Sequence, residues 1–245
     1  MIIKTMPSLE IIDFLKKDYI VNLNILGILE NEEDCEIYVD SLKNPKGVLV
    51  RLGYFNYIYT QSDEFLEEIL TKKFQKGSFG FSGIKEEISD KIKGKYNQDW
   101  ENRCSLYFLK EENLNTSLIK NQIRPIDIKD APIINDYYEF KGDKSLQRIE
   151  QDILKRPSSG VYINKELVSW VLVHNDNSMG IMYTKKEHRN KNYALEVTID
   201  LAKKILESGK IPFLHIIDSN KMSPSLASKA GFTKHSYVNW FGISI

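Results

Sequence analysis

Apolar residues at the start of the chain recur every three or four positions: Leu9, Ile12, Leu15, Tyr19, Leu23 and Leu26, with Phe14 and Ile28 beside them. Lysines and acids fill the gaps, and the pattern predicts a helix over residues 8–30. The period then shortens. Residues 36–40 and 47–52 read as short strands separated by the turn Asn44-Pro45-Lys46-Gly47, and residues 54–60 read as an aromatic third strand. A helix over 62–73 has Ser62 as its N-cap. Glycine-rich residues 77–83 lack a suitably placed Arg or Lys and read as a turn. A charged helix near 85–93 and a strand at 104–109 follow.

Residues 111–120 are polar and weakly patterned, so the boundary between two halves falls there. Beyond it the elements alternate clearly. A strand at 123–126 and a helix at 128–140, capped near Asp127 or Asp130, precede an amphipathic helix at Ser145–Lys155 that Pro157 stops. Strands at 160–164 and 167–174 flank a tight Asn164-Lys165-Glu166 turn. A strand at Met179–Thr184 leads to a helix at 191–208 with Leu195, Ile199, Ala202 and Leu206 on one face and Gly209 at its end. A strand at 212–218, a short helix at 224–229 and a final strand or hairpin at 232–244 complete the chain. This order implies an α/β protein with a mixed central sheet flanked by helices. Both halves place three strands in a row before a helix and a strand, so the first half reads as a distorted copy of the second.

Composition narrows the function. Lys plus Arg and Asp plus Glu both number 34, so no basic excess points to nucleic acid. Cys35 and Cys104 lie far apart with no metal-ligand spacing, which suggests reduced thiols and a cytoplasmic location. The first residues lack a signal-peptide pattern, and no apolar run approaches the roughly 20 residues needed to span a bilayer. No membrane partner is expected. Neither a metal constellation nor a Gly-x-Ser-x-Gly or Cys/His nucleophile arrangement is present.

The informative stretch is Met182-Tyr183-Thr184-Lys185-Lys186-Glu187-His188-Arg189-Asn190-Lys191-Asn192-Tyr193-Ala194. It runs from a strand through a basic turn into a helix N-terminus, whose free N–H groups and positive dipole end suit a pyrophosphate. The same residues also suit a solvated strand–helix loop. Residues 189–194 resemble the phosphate loop of GNAT acyltransferases: Arg or Gln, two residues, Gly, one residue, then Gly or Ala. Arg189 and Ala194 match, and Asn192 stands in the Gly position, where it tolerates positive φ. Further on, Pro212-Phe213-Leu214-His215-Ile216-Ile217-Asp218-Ser219-Asn220 and Ala230-Gly231-Phe232 resemble the later strand, its Asn and the helix-ending Gly-Phe of that family. The N-terminal half looks like the accessory half of two-part members such as the glycine N-acyltransferase-like proteins.

The resemblance implies a tandem GNAT-like fold, with a degenerate accessory domain at 1–115 and an acyl-CoA-binding catalytic domain at 121–245. It implies acetyl-CoA or another acyl-CoA as co-substrate and no metal. The acceptor would be a small-molecule amine or amino acid, and a homodimer is compatible with the sequence. Met182, Tyr183, Thr184, Arg189, Asn190, Lys191, Asn192, Tyr193, Ala194 and Asn220 are the implied cofactor-binding residues. The family's usual acid, a Tyr four residues before the helix-ending Gly, is Ala227 here. Catalytic candidates are His174, His215 and Ser228; Glu187 and Asp218 are alternative bases, and Ser225 and Tyr193 alternative acids. Trp170 and Trp240 read as packing residues. A non-catalytic acyl-CoA-binding module and an interaction domain without a CoA site are the rival readings.

Overall fold

A computed structural model describes residues 1–245. The chain begins with β1 (Ile3–Thr5), α1 (Leu9–Lys16), α2 (Leu23–Asn31), β2 (Glu36–Val39), β3 (Gly47–Leu52) and β4 (Phe55–Thr60). It continues with α3 (Asp63–Lys73), β5 (Ser78–Lys85), α4 (Glu86–Lys95) and β6 (Gln98–Phe108). Then come β7 (Ile123–Arg124), α5 (Ala131–Asp136), α6 (Ser145–Lys155), β8 (Ser159–Ile163), β9 (Glu166–Val173) and β10 (Met179–Thr184). The last elements are α7 (Tyr193–Glu207), β11 (Phe213–Ile217), α8 (Ser223–Lys229) and β12 (Thr233–Ser244).

Two compact units result, and neither is a continuous segment. One comprises Met1–Leu106, His215–Ser219 and His235–Ile245; the other comprises Tyr107–Leu214 and Asn220–Lys234. The expected division at 1–115 and 121–245 assigned the C-terminal strand to the second half. Instead, β12 pairs antiparallel with β5 in the first unit, with Phe241 opposite Phe81 and Ile243 opposite Phe79. The Phe81 and Phe241 rings stack at 4.7 Å, so the last strand helps build the first unit's core.

The first unit's strands run in the order β1-β2-β3-β4-β5-β12-β6-β11. Pairing is antiparallel from β1 to β4, whereas β4 and β5 run parallel and pair at Phe55–Gly80 and Asn56–Phe81. The expected helix over 8–30 is broken into α1 and α2. Buried Asn22 donates from its amide to the Leu15 carbonyl at 2.9 Å, satisfying a helix end within the interruption. Residues 77–83, expected as a turn, lie largely in β5. Gly80 admits the Tyr54 ring where a Cβ would sit, and Gly83 (φ +63°) faces Asn24 and His215 at 2.4 and 2.9 Å from an ideal Cβ. Gly83→Ala is expected to destabilise the protein by about 1–3 kcal/mol, through positive φ and the clash, read as a lower urea midpoint.

The second unit carries the four-stranded antiparallel sheet β10-β9-β8-β7. β8 and β9 meet at Asn164 (φ +51°) and Lys165 (φ +70°), the two positive-φ residues a tight hairpin requires. The helix expected over 128–140 is shorter: a 3-10 turn at Ile128–Asp130 followed by α5. Ile134 of α5 and Ile149 of α6 pack on Trp170 and Leu172 of β9. The side chains of α7 cover β8 and β9, with Val197, Ile199, Leu201 and Ala202 fully buried. No helix is long and apolar enough to cross a membrane.

Candidate functional site

β10 delivers its last residue, Thr184, to a loop anchored on the neighbouring strand. The Thr184 and Ser169 hydroxyls are 2.7 Å apart, and the Lys185 amide donates to the Val168 carbonyl at 2.9 Å. The Lys185 side chain is buried and its ammonium pairs with Glu166, holding that carboxyl below the usual carboxylate range. A 3-10 turn at Lys186–His188 follows. Asn190 (φ +61°) and Asn192 (φ +64°) then both adopt the left-handed conformation. Asn192 thus takes a backbone shape suited to the glycine it replaces, and Asn190 adds a second such corner. Asn192→Ala is expected to cost roughly 1 kcal/mol, because alanine lacks the local hydrogen bonding that lets Asn tolerate this region; a shifted denaturation midpoint would show it.

α7 starts at this corner without a side-chain cap. The acid in its first turn, Glu196, is buried and faces elsewhere: its carboxylate accepts from the Asn121 backbone and side-chain amides at 2.9 and 3.0 Å. α3, the corresponding helix of the first unit, contrasts sharply. Its preceding loop is only residues 61–62, Ser62 accepts from the Phe65 amide, and Asp63 and Glu64 occupy its first turn. Acids at a helix start oppose an anionic ligand, whereas the open start of α7 favours one. A cavity of about 260 Å³ beside β4 and α4 includes Lys85, Glu87, Asp63 and Lys91 in its lining. Lys91 pairs with Asp63 at 2.5 Å, and Lys85 with Asp18 and Glu87, leaving those cations committed.

β10 is irregular in its middle. Gly180 faces Leu172 and Tyr183 faces Trp170, so Ile181 and Met182 together stand opposite Val171. Ile181 has φ +48°. This is a bulge, on a strand at the edge of its sheet, and a bulge re-aims the backbone N–H and C=O of the strand that carries it. Met182 sulfur lies 3.8 Å from the Thr198 hydroxyl of α7, and Tyr183 stacks on Tyr137 at 4.6 Å. No regular feature of the sequence announces the bulge.

The other expected residues are distributed as follows. Arg189 Nε donates to the Thr184 carbonyl at 3.1 Å, with its guanidinium 5.4 Å from the Tyr183 ring; Lys191 is exposed. The Ala194 carbonyl accepts from Thr198 at 2.7 Å, and Tyr193 opens α7 with its ring 6.5 Å from that of His188. The Asn220 side-chain oxygen accepts from the Met222 and Ser223 amides at 3.2 and 3.1 Å, bracing the turn that leads into α8. Ala227 is buried on α8, while Ser225 and Ser228 are exposed, as is Glu187.

His215 and Asp218 belong to the first unit, whereas the loop at 185–192 belongs to the second. Trp240 donates from its indole to His215 Nδ1 at 3.0 Å, and Asp218 accepts from Ser105 and Arg103 at 3.1 and 3.3 Å. Cys104 is buried nearby in sequence on β6, and burial pushes its thiol up to about 12, which makes it unreactive at neutral pH. His174 lies in the second unit, at the β9–β10 turn, with Nδ1 3.3 Å from Asp152. Asp152 also binds Arg156. Nothing local in the sequence pairs His174 with Asp152; the i, i+4 spacing of Asp152 and Arg156 at the end of α6 is its one visible trace.

The sheets, the edge-strand bulge and the left-handed loop before an uncapped helix define a tandem GNAT fold with a phosphate-loop-like turn in the second unit. Residues 159–241 match the family model described as FR47-like protein. A stretch of 110 residues is 28% identical to human glycine N-acyltransferase-like protein 2. It covers 44% of this chain and 37% of that protein, so the match spans well under half the length of the curated relative. A Drosophila protein solved by structural genomics superposes with a TM-score of 0.80 at 12% identity, covering 96% of this chain and 94% of that one. A tandem GNAT protein from the clavulanic acid biosynthesis pathway gives 0.64 at 8% identity, with coverage of 100% and 98%. An acetyltransferase of the GNAT family from Colwellia psychrerythraea gives 0.59 at 12% identity over both full chains.

Proposed function

We propose that the protein is an N-acyltransferase that uses acetyl-CoA or another acyl-CoA, with a small-molecule amine or amino acid as acceptor. The observation that carries this reading is continuous along the chain: a bulged edge strand at Ile181–Met182 runs through the left-handed Asn190 and Asn192 into the uncapped start of α7. Backbone N–H groups of Tyr193, Ala194 and the loop would hold the pyrophosphate, with Arg189 and Lys191 supplying positive charge. Met182, Tyr183 and Thr184 would flank the pantetheine arm along the edge of β10, and the bulge would turn a backbone donor towards the thioester oxygen. The amine nitrogen then attacks the thioester carbon, and the C–S bond breaks as CoA thiolate leaves. Asn220, whose side-chain oxygen is occupied by two backbone amides, would offer the cofactor its amide N–H groups.

Titration calorimetry with CoA and with phosphate-free pantetheine tests the loop's part. CoA is expected to bind, and Ala at both Arg189 and Lys191 should weaken CoA about 10-fold while leaving pantetheine unchanged. Equal weakening of both ligands would remove the loop from the site. The second reading, a CoA-binding module without catalysis, is favoured by Ala227 at the usual acid position. It predicts binding without thiol release in any amine's presence.

A further inference from the structure

The reaction proposed above needs a group that takes the amine's proton, and the second unit contains one such group already oriented. We infer that His174 is the general base of this site, that Asp152 is its positioning residue, and that Gly180 is glycine because the His174 ring occupies the space of its side chain. The inference rests on the acyltransferase reading and adds the proton path to it.

Three observations converge. His174 Nδ1 lies 3.3 Å from Asp152 Oδ2, so in the neutral ring the Nδ1 proton is donated to the carboxylate and Nε2 is left as the acceptor. That nitrogen faces β10: an ideal Cβ on Gly180 would stand 2.2 Å from Nε2 and 2.6 Å from Cδ2 of His174. Gly180 immediately precedes Ile181, where the strand bulges. The acceptor nitrogen is thereby set against the backbone beside the irregular part of the edge strand. The His174 side chain remains 30% exposed, so solvent reaches part of it.

Asp152 is held from its other side. It is 5% exposed and pairs with Arg156, the residue that follows α6, and Arg156 Nε donates to the Val173 carbonyl at 3.0 Å. A buried carboxylate held between a guanidinium and an imidazole fixes the ring's tautomer and direction. The charged groups facing His174 are Asp152 of α6, Arg156 just past the end of that helix, and Asp176 in the following turn; the Tyr138 phenol, after α5, responds to Asp152. Burial alone would disfavour the imidazolium and is the largest single influence. The Asp152 hydrogen bond and the charges of Asp152 and Asp176 outweigh it against Arg156, leaving His174 above its ordinary value.

The step balances without another reactant. Nε2 removes one proton from the amine as its nitrogen bonds to the thioester carbon; the tetrahedral centre collapses with C–S cleavage, and the imidazolium returns that proton to the thiolate. A single histidine then serves as both base and acid, so the step needs no tyrosine at the position of Ala227.

The test compares wild type with His174→Gln, Asp152→Asn and Gly180→Ala in acetyl-CoA thiol release, with CoA binding measured alongside. His174→Gln should lower kcat about 100-fold or more with CoA affinity unchanged. Asp152→Asn should lower kcat about 10-fold and move the rising limb of the kcat/KM profile to lower pH. The sign follows from removing a carboxylate that stabilises the imidazolium: the neutral base is then reached at lower pH. NMR titration of the His174 imidazole should show the same downward move, a readout that loss of packing alone would not give. Gly180→Ala should displace the ring and lower kcat, and the two polar variants decide the matter if it fails to fold. Wild-type turnover with undiminished activity in His174→Gln overturns the base assignment and leaves the acyltransferase reading standing. Bound CoA with no wild-type turnover for any amine overturns both.

Discussion

Trp170→Ala is expected to cost about 3–5 kcal/mol of stability, the largest loss from a single substitution considered for the second unit. Trp170 is fully buried on β9 and packs against Tyr137 at 5.7 Å and Tyr183 at 5.5 Å. Its indole nitrogen has no hydrogen-bond partner, so the loss arises from transfer of apolar surface and from the cavity left behind. Ala131, Ile134 and Ile149 close the same cluster, and their helices cannot all move inward at once. Tyr183 directly precedes Thr184, from which the loop departs, so CoA affinity should fall together with the denaturation midpoint. Trp170→Phe should recover most of both. A small midpoint shift for Trp170→Ala would mean that this core collapses far more readily than its packing implies.

Asn192→Asp is expected to separate ligand binding from folding. Aspartate tolerates the left-handed backbone almost as well as asparagine, and a carboxylate at a helix start gains about 0.3–1 kcal/mol from the dipole. Stability should therefore hold or rise. The same negative charge faces the place proposed for the pyrophosphate, where two unit charges 4 Å apart interact by about 4 kcal/mol at an effective dielectric of 20. Solvent and added salt reduce that repulsion, and a loss of CoA affinity of about 10- to 100-fold is the expected reading from calorimetry. Pantetheine, which carries no phosphate, should bind as before. Opposite movements of midpoint and affinity would be hard to reconcile with a loop that is merely a connector.

How far the structure can be read from the sequence depends on whether the cause is local. Residues Ser145–Lys155 and Met179–Thr184 declare themselves by periodicity, and Asn164-Lys165 by the demands of a tight turn. Asn192 is legible for the same reason: few side chains accept positive φ, and a known loop pattern requires it there. The break between α1 and α2 is not legible, because it depends on Asn22 reaching back to Leu15 within an otherwise periodic apolar pattern. Alternation identifies β12 as a strand, yet its partner β5 lies some 150 residues earlier, and nothing local names that partner. β5 itself was hidden by glycines, whose purpose appears only when Tyr54, Asn24 and His215 fill the space beside them.

The candidate site divides along the same line. The phosphate-loop-like turn is local and could be found from Arg189, Asn192 and Ala194. The bulge at Ile181 emerges only from the register of β10 against β9. His174 stands out as a histidine near a strand end, but its companion Asp152 lies on another element and requires the fold to bring it near. His215 looks equivalent in sequence, yet it accepts a hydrogen bond from Trp240 in the first unit. Chemistry assembled from distant segments needs coordinates.

The most direct test of the account is release of free thiol from acetyl-CoA by wild-type protein across a panel of small amines and amino acids, with the N-acylated product identified by mass. The account predicts amine-dependent thiol release that rises with pH through a value above that of an ordinary histidine. Protein that binds CoA yet releases thiol with no member of the panel would contradict it.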